Sequence, residues 1–299
     1  VVGGVLAMVL FSGNFACARH GLENGLSVAD LILIRYGVSG PLCLLVLLRI
    51  GFGDATPGRS LVLTLLGGVP YFLLTAGALA FTSATHGSIL NPGGTMVFAP
   101  LLAWLVLGDR PGAGVLAGVA ILVAGLLMIG GKGLSGGGGG GRAWIGDLLL
   151  LWSGFDWALF GVLMRRWGLS GLRTACVMGA CSIFWLPVHL LVFGLGGIPD
   201  APGAAAIQAG YQGLVAGWLA IILYSRAVAA LGPSRGALLP PLVPALGVFW
   251  AWLLLGERVS ALQIAGMATV VAGMLVGALW RPGGDGGRRG VRPPPRAPR

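Results

Sequence analysis

Of the nine acidic side chains in this 299-residue sequence, Asp156 alone lies deep within an apolar stretch, about twelve residues into a segment running from 144 to 164. An ionisable group in such surroundings costs ~2.5–3.5 kcal/mol on membrane-insertion scales, so its presence points to a function. A desolvated carboxylate holds a proton more readily than one in water, which suits Asp156 to bind a proton or the cationic group of a solute. The structural alternative is a hydrogen bond from Asp156 to a neighbouring helix. Trp157 follows it directly. Arg35, about six residues into another apolar segment, is the basic counterpart. Its guanidinium could clamp an anionic solute, pair with Asp156, or extend its head to the membrane interface.

Neutral polar residues complete the candidate set. Asn14 lies in the first apolar segment, Tyr71 and Tyr224 offer hydroxyls near mid-span, and Asn91 stands beside Pro92. Asn91 could instead satisfy a carbonyl freed by the proline. Gln208 and Gln212 are four apart and share a helix face; Gln212 joins the set. The expected solute contacts are Asn14, Arg35, Tyr71, Asn91, Asp156, Trp157, Gln212 and Tyr224, with Asp156 the candidate for proton coupling. His86 and His189 fall near an interface and are expected to be solvated.

No enzyme signature stands up. Gly133-Leu134-Ser135-Gly136-Gly137 matches G-x-S-x-G but opens a glycine tract, without the strand and helix that a nucleophile elbow needs. The sequence has no P-loop, H-E-x-x-H or Rossmann fingerprint. Its four cysteines show no C-x-x-C spacing, so neither metal nor cofactor is expected.

The elements that must hold these residues are membrane helices. Apolar residues make up 56% of the chain and charged ones 9%, against roughly 25% charged in a soluble domain. Ten apolar segments can be marked, near 1–18, 29–48, 61–82, 87–107, 112–131, 144–164, 174–194, 204–228, 236–255 and 260–280; a span needs ~20 such residues. The net charge of +10 comes without a basic stripe interleaved with aromatics, so no nucleic-acid partner is expected. Fourteen basic residues fall on one side of the membrane and four on the other. By the positive-inside rule both termini are cytoplasmic, in a multi-pass protein of the cytoplasmic (bacterial inner) membrane. Trp104 and Trp252, beside inter-helix hinges, are expected in the aromatic belts.

The chain also repeats itself. At an offset of 148 residues, Ala103-Trp104-Leu105 meets Ala251-Trp252-Leu253, and Leu107-Gly108-Asp109-Arg110 meets Leu255-Gly256-Glu257-Arg258; positions 92–127 give 15 identities in 36. The expected organisation is a five-helix unit over 1–131, a glycine-rich linker over 132–143, a second five-helix unit over 144–280, and a basic, Pro/Gly-rich disordered tail over 281–299. An odd number of spans per copy inverts the second copy, and inverted repeats are the architecture of secondary carriers. The fold class expected is an all-α integral membrane protein with ten transmembrane helices as two inverted five-helix repeats. Segments five and ten carry Gly114-x-x-x-Gly118 and Gly273-x-x-x-Gly277, faces suited to close packing within the chain or in a homodimer.

The doubled Leu-Gly-acid-Arg hinge, with Ser12-Gly13-Asn14-Phe15, Arg35-Tyr36 and the stretch Ala84 to Leu90, resembles the EamA-type permeases of the drug/metabolite transporter superfamily. The resemblance implies ten helices, cytoplasmic ends and carriage of small organic molecules. The reading is a secondary permease or exporter moving a metabolite or drug-like solute by alternating access. Its cavity is expected between segments 1–4 and 6–9, with five and ten as struts and the basic tail on the anionic inner leaflet. The rival readings are a non-transporting interaction or regulatory subunit and a membrane-embedded enzyme.

Overall fold

The structure is a computed structural model that describes residues 2–134, 142–232, 236 and 238–280, with the side chains of 130–134 excepted. The glycine-rich linker from 135 to 141 and the basic tail from 281 lie outside the described residues. Among the described residues the helical rods, in order, are α1 (Val2–Glu23), α2 (Val28–Ile50), α3 (Pro57–Ala78), α4 (Ala84–Leu107), α5 (Ala113–Leu134), α6 (Ala143–Arg166), α7 (Gly171–Phe193), α8 (Pro202–Leu231), α9 (Leu242–Leu255) and α10 (Ala261–Leu279). Eight are long and apolar enough to cross a membrane; α5 and α9 hold shorter apolar stretches, Ala113–Ile129 and Leu242–Leu255. Large apolar side chains such as Leu48, Leu105, Phe184 and Leu191 stand outward, 69–86% exposed, a surface that only lipid can cover.

Short polar signals start these helices. Ser27, Thr56, Ser83, Ser170 and Ser260 each accept a hydrogen bond from the backbone N–H three residues on. With Asp30 and Gln263, Ser27 and Ser260 close full capping boxes. The ends of α4 and α9 use one device twice. Gly108 and Gly256 turn left-handed (φ 76° and 64°), and Asp109 and Glu257 each donate their N–H to the carbonyl six residues back, on Ala103 and Ala251. This is the Schellman cap, which glycine forms at least cost. The expected segment at 236–255 is shorter as a helix, beginning at Leu242. Pro240 and Pro241 have no N–H to give a helical ladder, so regular structure starts beyond them.

The helices pair in a two-way pattern. α2 lies on α7, α4 on α9 and α5 on α10; α3 meets α6 as α8 meets α1, and α4 meets α6 as α9 meets α1. Exchanging each helix for the one five places on maps this set onto itself. The α5–α10 crossing is the tightest. A Cβ added to Gly118 would fall 2.6 Å from the Gly277 nitrogen, and one on Gly125 would fall 2.8 Å from the Gly266 oxygen. The glycine faces marked in the sequence therefore meet one another within the chain. The two hinges lie at opposite ends of the bundle. Asp109 follows the C-terminus of α4, whereas the Glu257 carboxylate accepts from the N–H groups of Ala84 and Thr85 at its N-terminus, at 2.8 and 2.9 Å. The helix between them is 24 residues long, about 36 Å at helical rise.

Candidate functional site

Three helices converge on Arg35. Gly13 interrupts α1, and its missing side chain lets the Tyr211 ring in; the Tyr211 hydroxyl donates to the Leu10 carbonyl at 2.7 Å. The next residue, Asn14, accepts from Arg35 Nη1 at 3.0 Å through Oδ1. Gln212, on a π-helical stretch of α8 (Ala209–Leu219), accepts from the same nitrogen at 2.5 Å and donates Nε2 to the Asn14 carbonyl at 2.8 Å. A π-turn widens a helix and recurs at functional sites. The guanidinium carbon stands 4.6 Å over the Phe72 ring. Every one of these partners is neutral, so the charge is solvated by the protein and not cancelled. Gln208, also fully buried, bonds the Cys17 carbonyl at 2.7 Å, so both glutamines of the expected face reach α1.

A second polar group lies beside the first. The Tyr71 hydroxyl donates to Asn91 Oδ1 at 3.3 Å, and Asn91 Nδ2 donates to Ser153 Oγ at 2.7 Å. The Trp157 ring lies 5.1 Å from Tyr71 and stacks on Phe160 at 5.0 Å. Asp156 is three residues beyond Ser153 and shares its helix face. It is 9% exposed, and among the described residues nothing donates a hydrogen bond to it. Tyr71 adjoins Phe72 in sequence, and its ring meets Trp157, the residue after Asp156. A line of polar groups thus runs from a cation to an anion through the bundle interior.

Seven of the eight expected contacts share this line. Tyr224 does not: its ring packs edge-on against Phe11 at 6.3 Å in an apolar cluster with Ala7 and Met8. Arg35 turns inward to amide oxygens and does not extend to an interface, and it forms no ion pair with Asp156. The ion pairs among the described residues are Arg19–Glu23 and Arg165–Asp109, and His86 hydrogen-bonds Asp147. His86 and His189, expected in water, are 8% and 0% exposed, because α4, α6 and α10 enclose the first and Phe193 covers the second. Ser153 and Phe72 escaped the sequence reading. A serine in an apolar helix can satisfy its hydroxyl on its own backbone, as Ser153 does on the Leu150 carbonyl, so its presence signals nothing alone. Two grooves of about 620 and 200 Å³ lie beside α10, and none of the polar line contributes to either. Among the described residues no three His, Cys, Asp or Glu side chains gather as a metal site.

Apolar helices enclosing a polar line define a multi-pass membrane transporter. The chain belongs to the EamA-like transporter family, whose model matches residues 1–131 and again 144–278. It is 29% identical over 290 residues, 91% of each chain, to a probable terminal-alkyne amino-acid exporter of Streptantibioticus cattleyicolor. It is 30% identical over 260 residues, 86% of each chain, to an uncharacterized protein of Pseudomonas aeruginosa. An uncharacterized transporter of Archaeoglobus fulgidus is 25% identical over 280 residues, covering 90% of this chain and 93% of its own. A solved crystal structure shares the fold with a TM-score of 0.66 at 18% identity, covering 93% of this chain and 97% of its own.

Proposed function

We propose that this transporter carries a small zwitterionic organic solute by alternating access, with the solute's anionic group on Arg35 and its ammonium group on Asp156. The observation that carries the reading is the Arg35 guanidinium, aimed inward and held, among the described residues, by neutral groups: the Asn14 and Gln212 oxygens and the Phe72 ring. An interior cation with no protein counter-charge is completed by an anionic ligand. Asp156, to which no described residue donates a hydrogen bond, supplies the opposite charge further along the same line. The relative named a probable terminal-alkyne amino-acid exporter supports this reading, because an amino acid carries both groups. A proton and the solute's ammonium group are alternative occupants of the Asp156 carboxylate, which is the logic of exchange.

The alternating halves are residues 1–131 and 144–280, joined by the linker over 132–143 and inverted relative to each other. The exchange pattern of helix pairs and the opposite placement of the two hinges support this. Both termini are cytoplasmic by the distribution of basic residues, which sets the Asp109 end inside and the Glu257 end outside. The basic tail lies on the anionic face of the inner leaflet, where each basic residue contributes ~1 kcal/mol.

The test is a thermal-shift screen of purified protein against L-amino acids, their decarboxylated amines and their deaminated acids, followed by counterflow in proteoliposomes. The expected result is stabilisation and saturable counterflow by intact amino acids alone. Losing either charged contact should weaken binding at least tenfold, about 1.4 kcal/mol. Equal response to the amines would remove Arg35 from recognition, and no counterflow with any member of the panel would favour a non-transporting subunit.

A further inference from the structure

We infer that His86 is a proton-binding site that locks the Glu257 end of the bundle when empty and releases it when occupied. His86 lies on α4, and its Nδ1 is 2.8 Å from Asp147 Oδ1 on α6. Thr82, just before α4, donates its hydroxyl to the same oxygen at 3.0 Å. On the far side of the ring, Nε2 is 3.2 Å from Gln263 Nε2 on α10. All three side chains come from different helices, and His86 and Asp147 are 8% and 7% exposed.

The protonation state of the ring follows from the amide. Gln263 Oε1 accepts from the Ser260 N–H at 2.9 Å, closing the capping box that starts α10. The group facing His86 is therefore the Gln263 NH₂, a donor. His86 Nε2 must accept, which leaves the ring proton on Nδ1, donated to Asp147. A second proton can enter only at Nε2, where it meets a donor. Gln263 then has to leave, or rotate and set its NH₂ against the Ser260 N–H. Either movement breaks the first turn of α10 away from α4.

Glu257 makes that local event a gate. It lies three residues before Ser260 and grips the start of α4 through the Ala84 N–H, the Thr85 N–H and the Thr85 hydroxyl. The same short segment thus holds α4 at two points, one of which is proton-sensitive. Asp147 Oδ2, buried without a hydrogen-bond partner, leaves the carboxylate free to follow the imidazolium when Gln263 departs. Other titratable groups on the elements packed here are Arg19, His20 and Glu23 on α1, Arg142 before α6, and Arg258 at the hinge; none hydrogen-bonds or ion-pairs with His86. The Lys132 side chain of α5 is not among those described. The site is separate from the Arg35–Asp156 line, and its operation does not depend on what the carrier moves.

The experiment is a pair of spin labels at Arg142→Cys and Arg258→Cys, both exposed, in protein whose native cysteines are replaced by alanine, with distances read in lipid nanodiscs from about pH 8 to about pH 5. Acidification should add a longer-distance population in the parent. His86→Asn should abolish the acid response, and Gln263→Glu should suppress it, because a carboxylate accepts from the imidazolium and keeps the end closed. Distances independent of pH in the parent overturn the proposal, as does an unchanged acid response in either variant. Should His86→Asn fail to fold, Gln263→Glu decides alone.

Discussion

Gly118 of α5 lies against the backbone of Gly273 of α10, and their counterparts at the 148-residue offset, Gly266 and Gly125, lie against each other in the same way. The same close approach of glycines thus recurs at two points of the α5–α10 crossing. An added side chain at Gly118 meets backbone nitrogen and oxygen within 2.7 Å, atoms that cannot swing aside. Gly118→Val should therefore cost at least 1–3 kcal/mol, the usual penalty of overpacking, and lower the melting temperature in detergent. Gly161→Ala is the control, since nothing lies within 4 Å of its added Cβ. It should be neutral or stabilising by about 0.4–1 kcal/mol. Equal melting of both variants would contradict the α5–α10 contact.

The hinge acids, matched in sequence, do unequal work. Glu257 accepts three hydrogen bonds from the start of α4, including two backbone donors near a helix N-terminus. Asp109 pairs with Arg165 at 2.7 Å, with both side chains about half exposed or more. Glu257→Ala leaves buried donors unmatched and should cost about 1–3 kcal/mol; Asp109→Ala breaks a solvated pair worth ~0–1 kcal/mol. Thermal unfolding of the two variants side by side measures the difference. The reverse order would mean that Glu257 does not hold α4.

How much of this could be read beforehand differs from feature to feature. The two hinges are legible because Leu-Gly-acid-Arg follows Ala-Trp-Leu twice at a fixed offset, whereas the left-handed turn of Gly108 and Gly256 is a finding of the structure. The interior acid and base were legible because charge in an apolar run is rare. The direction taken by Arg35 was not, since its acceptors come from α1 and from α8, 177 residues away at Gln212. The π-helical stretch carrying Gln212 had no sequence signal, because its register is set by the packing of α8 on α2. His86 looked solvated for the same reason: Asp147 and Gln263 are 61 and 177 residues distant, and only the fold brings them to one ring.

Opposite placement of the hinges is testable without any solute. Single cysteines at Asp109 and Arg258, in a cysteine-free background, should differ in reactivity toward a membrane-impermeant maleimide added outside intact cells. Position 258 should label from outside and position 109 only after permeabilisation, given the side assigned by the basic loops. Labelling of both from one side would remove the inversion, and with it the two-fold basis of alternating access.

Asp156 separates a functional from a structural reading most cleanly. A carboxylate tying helices together loses stability when neutralised, because its donors are stranded. Asp156 has no donor among the described residues, so Asp156→Asn removes a desolvated charge and breaks nothing. The variant should therefore melt at or above the parent temperature while amino-acid counterflow falls tenfold or more. Asn91→Ala is the contrasting case: it strands the Tyr71 hydroxyl and Ser153, which should cost about 1–3 kcal/mol. If Asp156→Asn destabilised the protein as Asn91→Ala does and left transport intact, Asp156 would be a structural residue and the solute's ammonium group would need another partner.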